Sequence, residues 1–518
     1  MNREVKTNPW SRLTQLLVVV SLLGINACSF APKMQSPEPV TAMPEDFVHA
    51  DDALAEEAYA PASWWVAFDD PVLNRVIDST LHSNLDLVEA VARVAEIRAQ
   101  YRIERSALFP SLQASASGSF NDQPANSGFG AQFAALGGSE GEGGEDVPQQ
   151  PAGPDRISFE NYSADATLSY ELDFWGRIRN SSRAALSEYF ASEADLQAAY
   201  LAVVNQAVLT YFEVVDLRRR IAFSVETIDI LTERVSRTQE RYDRGLVSSF
   251  ELYATLQDYR NTQANLPVLE RQLVDAEGRL AVVMGKYAGH IDAVLGDTLA
   301  PRLDTSAIPA GIPAELLSQR PDVRAAAERL EAARYRIGAR KAERYPTIAP
   351  AGTIGLQSSN FDKLFDLNQW YVNLAANITA PLFQGGRLKA NVDAAEARYI
   401  QLAAGYTRAV ITAFQEAESA LAGMEEERQR FAFLSGQREE AQAAVDLQAS
   451  RFDSGVGEYL DYLDALRTYY NVETNLSAAA RDLALARLGV HRALGGEWIE
   501  AEVDPVLQMV DAPLSGIE

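Results

Sequence analysis

The sequence is poor in the residues that build cofactor sites: one cysteine and four histidines in 518 residues. A single thiol excludes a disulfide framework, a cysteine-rich zinc site and a cysteine-ligated iron–sulfur cluster. His49, His82, His290 and His491 are too scattered to suggest a shared metal. Basic residues are also scarce, 46 Lys and Arg against 72 Asp and Glu, for a formal charge of −26. That balance argues against a nucleic-acid partner, which needs a basic face to neutralise phosphates. Neither a nucleophile elbow nor a zinc-binding histidine pair is present. The expectation is a protein that is not an enzyme and holds no cofactor or metal. What the chain does have is length and 47% apolar residues, enough for several domains or one extended one.

The first residues read as an address. Arg3, Lys6 and Arg12 precede an apolar stretch from Leu16 to Ile25 that is shorter than the roughly 20 residues of a membrane span. It ends in Ile25-Asn26-Ala27-Cys28, which resembles the bacterial lipoprotein cleavage box. The expectation is a signal peptide over 1–27 and lipidation at Cys28, the alternative being an ordinary signal with an incidental cysteine. Ser29 carries no acidic retention mark, so the resemblance implies the outer membrane. Lipidation would tether the chain without spanning anything. The Pro-rich stretch from Ala31 to Pro44 reads as an extended leash.

Two halves of the chain echo each other. Arg241-Tyr242-Asp243-Arg244-Gly245 returns 210 residues later as Arg451-Phe452-Asp453-Ser454-Gly455. Gly176-Arg177-Ile178-Arg179 and Gly386-Arg387-Leu388-Lys389 share that offset, as do Met284-Gly285 and Leu494-Gly495. Upstream the offset becomes 236, matching Leu108-Phe109-Pro110 with Arg344-Tyr345-Pro346. The difference falls at a Gly- and Glu-rich insertion over 137–146. A register without gaps over more than a hundred residues points to internal duplication.

From Gly176 to Gly245 there is no proline, and about 65 helical residues would make a rod near 100 Å long. Gly245 breaks that helix, and a second is expected from about Ser248 to Met284. Leu252, Tyr259, Leu266, Leu273 and Leu280 are spaced by seven, as are Tyr462, Tyr469, Leu476, Leu483 and Val490. Sustained heptads predict supercoiled packing, and Pro267 predicts a kink in the first copy.

Elsewhere the period is two. Leu112, Ala114, Ala116, Gly118 and Phe120 alternate with polar residues, as do alternate positions over 162–172, 348–358 and 370–382. Strands of about ten residues with one apolar face suit a membrane barrel with a wet lumen. A half-buried soluble sheet would show the same alternation. Four strands cannot close a barrel, whose smallest workable number is about eight, and open edges are forbidden in lipid. Several chains must therefore contribute; counting alone leaves two, three or four.

Taken together, these features resemble the TolC/OprM-type outer-membrane efflux factors, in particular the lipidated, NodT-like branch. Cys28, Trp64-Trp65 with Phe68-Asp70-Pro71, the duplicated strand–helix plan, Pro381-Leu382-Phe383 followed by Gly385-Gly386-Arg387, and the two Arg-aromatic-x-x-Gly turns carry the likeness. The resemblance implies an α+β membrane protein. It would be a homotrimeric barrel of twelve strands, four per chain, continued by a long α-helical barrel. The expected organisation is the signal at 1–27 and a lipid-anchored leash with an equatorial segment at 28–72. A first repeat follows at 73–285, with strands 111–120 and 162–172, then an equatorial linker at 286–315. A second repeat at 316–496, with strands 348–358 and 370–382, precedes an equatorial tail at 497–518.

By the same resemblance the chain is the exit duct of a tripartite efflux system. Its partners would be outer-membrane lipid, a periplasmic adaptor and an inner-membrane RND-type pump. Asp461 and Asp464 match the family's periplasmic gate, and residues three apart do share a helix face. An acidic first turn stabilised by the helix dipole would look the same. The tips around Arg241 and Gly245, and around Arg451 and Gly455, would dock on the adaptor. Gly457 stands where a basic residue is found in the family, so the gate's locking contacts are expected to differ. Two other functions remain open: a structural or adhesive lipoprotein rod, and a type I secretion duct for peptides.

Overall fold

The computed structural model describes residues 30–33, 44, 47–49, 64–124, 156–296, 308 and 319–495. The signal peptide, Cys28, the insertion at 137–146, the tail at 497–518 and much of the linker at 286–315 lie outside the described residues. In chain order the larger elements are α1 (Pro71–Ser83), α2 (Leu85–Ser106), β1 (Ser111–Pro124), β2 (Arg156–Ser169), α3 (Arg177–Asp243) and α4 (Ser249–Val283). They are followed by α5 (Pro321–Ala342), β3 (Thr347–Ser358), β4 (Trp370–Thr379), α6 (Arg387–Asp453) and α7 (Tyr459–Ala493). Among the described residues the fold is mostly helical, with four strands. α3 and α6 each have 67 residues, and α4 and α7 each have 35.

The chain packs as two compact units, each assembled from pieces of both sequence halves. The first holds residues 100–184 and 334–397 with the described residues 30–33. Its centre is one antiparallel sheet in the order β1-β2-β3-β4. Register keeps the two faces distinct. Leu112 lies opposite Leu168, Ala166 opposite Ile354, and Ile354 opposite Val372, all on one face. Ser111, Gln113, Ser115 and Ser117 lie opposite Ser169, Thr167, Asp165 and Ser163 on the other. The apolar face is open: Leu112 is 73%, Leu374 80% and Ile378 69% exposed.

The strand ends differ from the expected ones, and proline accounts for two of the differences. β2 stops at Ser169 rather than at 172. Tyr170 and Leu172 still donate to the carbonyls of Pro350 and Ile348, but Pro350 has no N–H with which to answer. β4 stops at Thr379, before Pro381. At the far end β1 and β2 run further than expected, to Pro124 and back to Arg156, where the Arg156–Asp122 ion pair at 2.9 Å ties them.

The helix after the sheet is capped by its own approach. The Asp173 carboxylate accepts from the backbone N–H of Ile178 and Arg179, and pairs with the Arg179 side chain. Beside it Trp175, Tyr345 and Phe30 form a stack, with centroids 4.8 Å apart for Trp175–Tyr345 and 5.0 Å for Tyr345–Phe30. The Arg334 guanidinium donates to the Pro32 carbonyl at 3.0 Å. Residues 30–33 are thus seated on the protein, not free as a leash would be.

The second unit holds residues 34–99, 185–333 and 398–518, as far as they are described. α1 starts at Pro71, and the Asp70 carboxylate caps it by accepting from Val72 and Leu73. Tyr211 donates to the same carboxylate at 2.6 Å, and burial followed by that bond holds its phenol protonated far above the usual range. Around this contact lies the main core: Phe68, Leu73, Val76 and Ile77 with Val204, Val208, Phe212, Leu280, Met284, Ile291 and Leu295. The seven-residue line of α7 is largely buried (Tyr462, Leu476, Leu483 and Val490), whereas in α4 only Leu252 and Leu280 are. α4 runs on through Pro267, whose missing N–H removes one helical bond. A smaller cluster sets Phe47 on Phe414, with Val48 and His49 donating their backbone N–H groups to Glu418.

Candidate functional site

The helix-to-helix turns of the second unit hold six of the seven site residues expected from sequence; Cys28 is the seventh. α3 ends in a turn where Gly245 has φ +73°. Gly245 and Leu246 donate to the carbonyls of Tyr242 and Arg241, closing the helix in the left-handed manner glycine permits. Ser248 then caps α4 by accepting from Glu251. The turn from α6 to α7 is built alike: Gly455 has φ +76°, and Val456 donates to the Arg451 carbonyl at 3.0 Å.

Here the two turns diverge. Gly457 also donates to the Arg451 carbonyl, and a Cβ at 457 would lie 2.9 Å from the Arg451 Cβ and 3.2 Å from the Phe452 nitrogen. A side chain at 457 would therefore force this turn to shift. Glu458 precedes α7 without capping it through its side chain.

Asp461 and Asp464 lie one turn apart on α7, both exposed, while Tyr462, Leu463 and Leu466 on the opposite side are buried. Tyr459, Tyr462 and Leu463 pack with Leu231 and Val445. Two arginines of α3 hold the aromatic layer: Arg234 lies 4.2 Å over the Tyr462 ring, and Arg241 lies 4.8 Å over Phe452. Arg467 of α7 forms an ion pair with Asp258 of α4. Burial raises the Glu251 carboxyl above its ordinary range, with the Arg241 charge opposing. Arg241 is half-buried in this layer and Arg451 is exposed. The two residues proposed alike from sequence therefore differ in environment.

Sequence reasoning missed the apolar surface of the turns. Leu246, Phe250 and Tyr253 are 64–68% exposed, and Val456 is 75%. Leu246, Phe250 and Tyr253 fall off the seven-residue line of Leu252 and Tyr259, and that is the signal that marks them as outward-facing. It missed Arg234, Asp258 and Arg467 as well, since nothing in their local pattern announces a partner on another helix. Among the described residues no group of three or more His, Cys, Asp or Glu is placed to hold a metal ion.

Residues 76–286 and 312–496 match the family model described as outer membrane efflux protein. The chain belongs to that family. As a member of the outer membrane efflux proteins it is the outer-membrane channel component of an efflux system. It is 29% identical over 478 residues to outer membrane protein OprJ of Pseudomonas aeruginosa, covering 92% of this chain and 95% of that one. It is 27% identical over 493 residues to the probable outer membrane lipoprotein SilC of Salmonella typhimurium, covering 94% and 99%. Among solved structures it superposes on the CmeC outer membrane channel of Campylobacter jejuni with a TM-score of 0.80, at 25% identity over 93% and 98% of the two chains.

Proposed function

We propose that three copies of this chain form one passive exit duct: a twelve-stranded barrel in the outer membrane that opens into a barrel of the long helices. The sheet carries this reading. It presents an open apolar face and leaves β1 and β4 each with one unpaired edge. In lipid an unpaired backbone group costs several kcal/mol, so such edges must find partners in neighbouring chains. Internal duplication supports the same plan. The family model matches two stretches, and helices of 67 and 35 residues recur in each. Lipidation at Cys28 would fix the duct to the outer membrane, as the name of SilC suggests for that relative.

The duct takes cargo from a periplasmic adaptor and an inner-membrane RND-type pump, and itself adds no chemical step. The turns at Arg241–Gly245 and Arg451–Gly455 dock on the adaptor, with Leu246, Phe250 and Val456 as the exposed apolar contacts. Asp461 and Asp464 of three chains form a ring of six carboxylates at the narrow periplasmic end. Such a ring favours cations and keeps the helices apart by like-charge repulsion.

Planar-bilayer recording of the purified lipoprotein tests the reading. A duct gives discrete, cation-preferring currents whose cation preference falls when Asp461→Asn and Asp464→Asn are combined. A protein that inserts yet carries no current is the structural rod instead.

A further inference from the structure

We infer that Asp165 is a second selectivity-determining residue, placed in the sheet and separate from the acidic pair of α7. The inference rests on the barrel reading above, because it needs the polar face of the sheet to line a lumen.

The register decides the face. Asp165 lies opposite Ser115 of β1 and Gly355 of β3, and Gly355 lies opposite Tyr371 of β4. The positions sharing that face in the four strands are serine, threonine, asparagine, glutamine, alanine, glycine, tyrosine and Phe159, together with position 157. Asp165 is the one ionisable carboxylate among them. The other charged residues of β1 and β2 (Asp122, Arg156 and Glu160) have the opposite parity and gather at the far strand ends. With apolar residues turned to lipid, the face of Asp165 must turn to water.

Its surroundings are shaped for it. A Cβ at position 355 would lie 2.6 Å from the Asp165 Cβ and 2.7 Å from the Ala164 carbonyl oxygen, so only glycine fits opposite. The carboxylate accepts from the Ser115 hydroxyl at 2.8 Å and from the Ser163 hydroxyl at 3.4 Å. These neutral donors orient the charge without cancelling it, and among the described strand residues no cationic side chain shares that face. Aspartate is disfavoured in strands, and serine or threonine is the usual choice for a wet position. Three chains would bring three carboxylates to one level of the lumen, within low-dielectric walls that focus their field on passing ions. A change of roughly one kT in that potential alters the local concentration of a monovalent ion about threefold.

The test is the reversal potential of single channels of the full lipoprotein under a potassium chloride gradient. Asp165→Asn should lower the cation-to-anion permeability ratio at least about threefold, both alone and with Asp461→Asn and Asp464→Asn already present, whereas Asp165→Glu should keep it. Asp165→Ser, which repeats the neighbouring side chains, serves if the asparagine variant does not insert. As a further readout, magnesium added on the barrel side should block wild-type potassium current at a lower concentration than it blocks the serine variant. Channels that conduct with unchanged selectivity and unchanged magnesium block would overturn the assignment. A wild-type protein that inserts without conducting would sink the duct reading itself.

Discussion

His491 shows how one buried side chain sets a condition on the whole fold. It lies in α7, 6% exposed, and its pKa is pulled down to about 3, by burial first and then by the Arg487 charge. The folded chain therefore keeps a neutral imidazole at pH values where the unfolded chain, near 6.5, takes up a proton. Above pH 6.5 neither state is protonated and the residue imposes no pH dependence. Between 6.5 and 3 the unfolded state gains about 1.4 kcal/mol per unit as pH falls, which amounts to roughly 2 kcal/mol per chain at pH 5. The thermal midpoint should thus drop between pH 7 and pH 5 in the wild type and drop less in His491→Gln. Equal slopes in the two proteins would show that other groups govern acid sensitivity.

At the scale of elements, period-two and period-seven patterns made most of the architecture legible. Leu112, Ala114 and Ala116 alternate because one face of β1 is apolar, and the α7 line from Tyr462 to Val490 repeats by seven because it packs against other helices. Asp461 and Asp464, proposed above as a gate, were legible as two acidic residues sharing one helix face. Where strands stop was harder to read, since the end of β2 depends on Pro350 in a strand some 180 residues away. Hardest was the fate of the N-terminal segment, because composition speaks for an extended leash while stacking on distant rings decides the outcome. Phe30 rests on Tyr345, and Gly338 leaves the space: a Cβ there would come within 2.8 Å of the Ala31 nitrogen and the Asn180 amide. Gly338→Leu should unseat residues 30–32 while the sheet stays intact. Lys33 makes this measurable, because trypsin cleavage after it should speed up about tenfold as the local opening becomes easier. Unchanged cleavage, with the circular-dichroism sheet signal retained, would show that Phe30 and Arg334 hold the segment without help from Gly338.

For the whole molecule the decisive quantity is the number of chains. A four-stranded antiparallel sheet is stable in water with its edges solvated, but the exposed apolar face here, with Leu112, Leu374 and Ile378 in the open, would make such a monomer sticky. In lipid that face is satisfied and the edges become the problem: along ten-residue β4 alone about half the backbone groups point outward, each costing several kcal/mol unpaired. The sum runs to tens of kcal/mol, far beyond the 5–15 kcal/mol that stabilises a typical fold, so closure by neighbouring copies is a condition of insertion. Closure needs at least about eight strands, and three copies supply twelve. On the proposed trimer, which strand counting alone does not select, light scattering of the detergent-solubilised protein gives the mass of three chains, with the sheet signal present. Twice or four times the chain mass would keep the shared barrel and replace the number three. A single-chain mass, stable and without a sheet signal, would leave no wall for a lumen, and the assignments of Asp165 and of the α7 pair would fall with it.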